Sequence, residues 1–92
     1  MTVWTWGIDL ALAFVLLWLA GHLLLAADLF KAVVLYIAFG LLMALVWVRL
    51  AAPDVAMAEA AIGAGLTGAL LLSALGRIQE TAEKNLEEEG EP

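Results

Sequence analysis

The sequence predicts an all-α integral membrane protein with three transmembrane helices in an up-down-up arrangement. Three observations carry that prediction. Of 92 residues, 65% are hydrophobic, against roughly 45–50% in a soluble domain. Three stretches, residues 8–27, 32–48 and 55–76, each approach the ~20 apolar residues that a helix needs to cross the hydrocarbon core. The charges collect elsewhere. Residues 1–76 carry four acids against Lys31 and Arg49, whereas residues 77–92 carry six glutamates against Arg77 and Lys84. The chain divides into a membrane domain, 1–76, and an acidic C-terminal tail, 77–92, expected to be partly disordered because it is polar and self-repelling.

The first span runs from Ile8 to Ala27, with Asp9 near its start and His22 near its end. Residues 1–7 contain no Lys or Arg, so the stretch lacks the basic leader of a cleavable signal and reads as a retained helix. The second span, AVVLYIAFGLLMALVWV, carries no charge. The third runs from Val55 to Gly76 and carries one charge, Glu59. Pro53 suits its first turn, where an N–H would be unpaired anyway, and Asp54 complements the helix dipole. The links 28–31 and 49–54 are short, so successive helices are antiparallel neighbours.

Composition excludes many functions. Zero cysteines rule out disulfides, thiolate zinc sites and cysteine-ligated clusters. One histidine cannot build a multi-histidine metal site, and four basic residues among ten acids argue against nucleic acid. No metal, cofactor or catalytic residue is expected. Lys31, Arg77 and Lys84 fall on one side of the membrane and Arg49 on the other, which predicts an outside N-terminus and a cytoplasmic tail in the cell inner membrane. Trp4, Trp6 and Trp47 then sit near the outer interface, where tryptophan concentrates.

The third span is the most informative. Small residues recur at Ala61, Gly65, Ala69 and Ser73, with Ala64 and Gly68 beside them. Helices associate in lipid through close contact between such residues, so this strip is expected to pack on another helix. Glu59 shares a face with Gly63, Leu66 and Leu70, roughly opposite the strip. A carboxylate in a span normally faces protein or a water-filled cavity. Both sides of the helix therefore want protein, which predicts a wedge inside a larger assembly.

Each candidate residue has two readings. Glu59 is either solvated near the headgroups or handles protons or cations, since a carboxylate drawn out of water takes up a proton more readily. Lys31 is either an interfacial lysine paired with Asp28 at i,i+3 or one end of an ion relay. His22 is either an interface residue or a proton relay. Arg49 and Asp54 read as surface residues flanking a loop, and the tail as a solvated segment or a docking element.

The runs DLFKAVVLYIAFGLLMAL, from Asp28, and APDVAMAEAAIGAGLTGALLLSAL, from Ala52, resemble a known module. It is the three-helix D subunit of energy-converting membrane-bound hydrogenases. The same module occurs in Mrp-type multisubunit sodium/proton antiporters and is distantly similar to the J-type membrane subunit of respiratory complex I. The resemblance covers residues 8–76. Its most specific part is Ala52-Pro53-Asp54-Val55-Ala56, then Glu59-Ala60-Ala61 and Gly63-Ala64-Gly65.

The resemblance implies a non-catalytic subunit without a cofactor. It would sit between an antiporter-like large subunit and other small membrane subunits, and help form a path for protons or sodium ions. Glu59 falls on the family's acidic position, Lys31 on its basic position, and Asp28 also matches. The related complex I subunit can carry a π-bulge in its third helix, which would fall between Gly63 and Gly68 here. The tail has no counterpart in the module, and a following E-like module is expected on another chain. The alternatives are a structural scaffold within the same complex, or a small self-assembling pore protein.

Overall fold

The computed structural model describes residues 2–90. Helix α1 spans Val3–Leu24, α2 spans Leu29–Arg49, and α3 spans Pro53–Gly90. All three are long and apolar enough to cross a membrane, and no strand occurs among the described residues.

Local chemistry sets the boundaries. Helix α1 begins five residues before the expected Ile8, at the Thr2 N-cap position, and ends three before Ala27. Helix α2 begins at Leu29, ahead of the expected Ala32, because the Asp28 carboxylate accepts a hydrogen bond from the Phe30 N–H at 3.0 Å. This N-cap satisfies one of the amides that a helix start leaves open.

The second turn is a Schellman closure. The Ala52 N–H donates to the Trp47 carbonyl at 2.9 Å, and the Ala51 N–H to the Val48 carbonyl at 3.0 Å. Ala51 lies between them at φ 60°, the left-handed conformation that glycine normally supplies. Pro53 follows as the first residue of α3.

Helix α2 is the centre of a row. It packs against α1 on one side and along α3 on the other, and α1 does not reach α3. The extents are 71 × 25 × 11 Å, so the body is a slab about one helix thick. Its buried residues are few: Leu19 on α1, Gly40 and Ala44 on α2, and Ala56, Ala64, Gly68 and Leu75 on α3. Large apolar side chains cover the broad faces, including Trp6, Phe14 and Trp18 on α1 and Ile62, Leu66 and Leu70 on α3.

Helix α3 has three parts. Pro53–Ala58 is α-helical, Glu59–Thr67 is π-helical, and Gly68–Gly90 is α-helical again. The π segment changes which residues meet α2. Its i→i+5 bonding gives more residues per turn, so each advances the face by less than the 100° of an α-helix. Ala56, Ala64, Gly68 and Leu75 are thereby brought onto the buried side. Of the expected strip, Ala64 and Gly68 are buried within this chain, whereas Ala61, Gly65, Ala69 and Ser73 are exposed. That expectation assumed α-helical rotation throughout.

The helix also continues past the body. It runs through residues of the acidic tail to Gly90. Good helix formers dominate residues 77–89, and Glu80 precedes Lys84 at the favourable i,i+4 spacing. Glu91 and Pro92 of the tail, and Met1 of the membrane domain, lie outside the described residues.

Candidate functional site

The π segment opens with Glu59, the charge inside the third span. Its side chain is half-buried. The Cα–Cβ bond of a helical residue tilts toward the N-terminus, but the Glu59 carboxylate turns the other way and lies over Gly63. A Cβ built on Gly63 would stand 3.0 Å from Glu59 Oε1 and 3.5 Å from its Cδ. Glycine at 63 therefore supplies the space into which the carboxylate folds. That draws the acid toward Gly63, farther along the span than its own Cα.

Glu59 faces a cleft of about 320 Å³ lined by Tyr36, Val55, Ala58, Glu59, Ile62 and Gly63. Tyr36 on α2 brings the second polar side chain to it. Within its own span Tyr36 is one residue of an apolar run, and nothing there singles it out. The antiparallel pairing of α2 with α3 was the signal that could have placed it opposite the Glu59 face. Gly63 belongs to this site, and Gly68 packs on α2, where a Cβ would meet Ile37 Cγ1 at 2.7 Å. Ala61 and Gly65 lie within the π segment but outside its buried side.

The other three candidates gather at the opposite end of the slab. His22, Leu25, Ala26, Ala27, Asp28 and Lys31 line a cleft of about 330 Å³ at the α1–α2 turn. His22 Nδ1 lies 3.0 Å from the Trp18 carbonyl, and its ring centroid is 4.3 Å from that of Trp18. A carbonyl only accepts, so Nδ1 is the donor. Lys31 forms no ion pair among the described residues, so the i,i+3 pairing with Asp28 is not made. Glu59 and Lys31 line separate clefts and are not in contact.

A further polar contact joins α1 to α2. Arg49 donates from Nε to Asp9 Oδ1 at 2.9 Å and from Nη2 to the same oxygen at 2.8 Å. Nη2 also reaches the Thr5 carbonyl at 3.4 Å. Arg49 is exposed, as its loop position suggests, and also ties α2 to α1. The two partners lie at roughly comparable distances on either side of the α1–α2 turn, so an antiparallel register could have paired them. Below them is an apolar cleft of about 250 Å³ lined by Leu12, Ala13, Leu16, Val46 and Leu50. No group of three or more potential metal ligands occurs among the described residues.

The model of the MbhD family, the D subunit of MBH, matches residues 14–80. That stretch holds the second half of α1, all of α2, the π segment and the start of the tail. Neither the curated proteins nor the solved structures hold a match to this chain. The family match covers well over half the chain, and its residues include the whole Glu59 cleft and the whole His22–Lys31 cleft. The chain belongs to the MbhD family of MBH D subunits and is a membrane subunit of a larger complex.

Proposed function

We propose that this subunit contributes a proton or sodium path to a multisubunit cation/proton antiporter or an antiporter-derived redox pump. The observation that carries the proposal is the Glu59 carboxylate. It is half-buried in a span, folded over Gly63, and set at the start of a π-helical stretch. Intramembrane carboxylates are costly and are kept where they serve a function, and π-helical irregularities concentrate at functional sites. In this reading Glu59 takes up and releases a proton, or helps solvate a sodium ion, beside Tyr36. Lys31 serves the path at the opposite end of the slab rather than by contact with Glu59. His22 and Asp28 serve the path at the other membrane surface. The antiporter-like large subunit and other small membrane subunits cover the broad faces. The N-terminus lies outside and the tail lies in the cytoplasm.

A second reading, a purely structural wedge, is favoured by the slab shape. A body about one helix thick with apolar faces on both sides is well suited to filling space between neighbours. Glu59→Gln in the complete complex separates the two. Lost transport with all subunits retained supports the path. Lost subunits support the wedge.

A further inference from the structure

Helix α3 does not stop where the slab ends. Leu75 is buried where α3 packs along α2. Beyond it the helix continues to Gly90 with no other helix of this chain beside it. Residues 77–90 therefore project about 21 Å at 1.5 Å per residue.

This projection is two-faced. Ile78, Ala82 and Leu86 fall within a half-turn arc that continues the line of Leu75, at spacings of three and four. Ile78 and Leu86 are 57% and 68% exposed. A shallow groove lined by Arg77, Ile78, Thr81, Ala82 and Asn85 runs along one edge of the stripe. Glu80, Lys84 and Glu87 occupy the opposite face, Glu83 borders the stripe, and Glu89 closes it at its C-terminal end. The interface with α2 is thus extended into water by an apolar stripe that nothing in this chain covers.

A lone charged helix of this length is marginal in water. Five glutamates against Arg77 and Lys84 make residues 77–90 strongly acidic, which repels an anionic membrane surface and attracts a basic one. We infer that residues 77–90 form a docking stalk for a positively charged, water-exposed surface of another subunit, which receives Ile78, Ala82 and Leu86 in an apolar groove. This rests on the chain being seated in a larger complex and not on Glu59 moving ions.

The test uses the full-length protein in its intact complex in native membranes. The chain has no cysteine, so spin labels can be attached at Ala82→Cys on the stripe and, separately, at Glu87→Cys on the opposite face. The expected result is a label at position 82 that is immobilised and shielded from a water-soluble relaxation agent, with the label at 87 mobile. High salt should release the first label. Carbodiimide coupling should join Glu83 to lysines of one other subunit. Equal mobility at both positions overturns the inference, as does exposure of position 82 to lipid-dissolved oxygen. Coupling only to Lys84 of a second copy also overturns it. Transport by the same labelled complexes is read separately, so loss of docking and loss of the ion path are distinguishable.

Discussion

The Glu59 carboxylate occupies the space that a side chain at Gly63 would fill, with Oε1 3.0 Å from a Cβ built there. This contact is tighter than ordinary packing, so alanine at 63 must move the acid. Gly63→Ala is expected to displace the flexible end of Glu59 by a few tenths of an ångström, at a cost well under about 1 kcal/mol. If the carboxylate works from its present position, transport should fall by up to about tenfold, the equivalent of 1.4 kcal/mol, while subunit content is unchanged. Transport assays on the assembled variant complex check this. Unchanged transport would mean that the position of the acid over Gly63 is irrelevant.

Gly68 and Gly40 look alike in sequence but differ in the packed helix pair. A Cβ on Gly68 would approach Ile37 Cγ1 to 2.7 Å and Cδ1 to 2.9 Å, whereas one on Gly40 would meet Ala64 Cβ at 3.8 Å. Gly68→Ala should therefore destabilise the α2–α3 pair by about 1–3 kcal/mol through overpacking. Gly40→Ala should be neutral or stabilise by up to about 1 kcal/mol, because the contact is ordinary and alanine is the better helix former. Thermal unfolding in detergent measures both. Adding Ile37→Ala should recover part of the Gly68→Ala loss.

Ala51 holds the left-handed position of the α2–α3 turn at φ 60°. Glycine adopts this conformation without the penalty of a Cβ. Ala51→Gly is expected to stabilise the turn by roughly 0.5–1 kcal/mol, and Ala51→Val to destabilise it, since a β-branched residue is rarely found there. The same unfolding assay reads the sign of each change.

The Asp9–Arg49 pair fastens α1 to α2. The Arg49 side chain is 34% exposed and the Asp9 side chain 54%. Partial exposure keeps the expected contribution near ~1 kcal/mol. A double-mutant cycle with Asp9→Ala and Arg49→Ala should return a coupling of about that size, weakening as salt rises. No measurable coupling would mean that apolar contacts alone hold α1.

The helices and their antiparallel order were legible because hydrophobicity at the length of a membrane crossing is a strong signal. Pro53 marked the start of α3, whereas Asp28, read as a partner for Lys31, proved to be the cap of α2. Glu59 stood out because it was the one charge inside the third span. The packing face of α3 was harder to read. Ala61 and Gly65 would share a buried strip in a regular α-helix, but the π turns rotate the face toward Ala64 and Gly68. Asp9 with Arg49, and Glu59 with Tyr36, depend on the vertical register of neighbouring helices. Residue spacing within one helix carries no information about that register.

The central claim is that the Glu59 carboxylate itself serves an ion path. The most direct measurement is cation-coupled proton movement in sealed membrane vesicles carrying the complete complex, comparing wild type with Glu59→Gln and Glu59→Asp. Subunit stoichiometry is measured on the same vesicles. The Gln variant is predicted to assemble fully and to lose at least about tenfold in rate, and the Asp variant to keep a substantial part of it because the titratable group is retained. A fully assembled Gln variant that transports at the wild-type rate would contradict the claim.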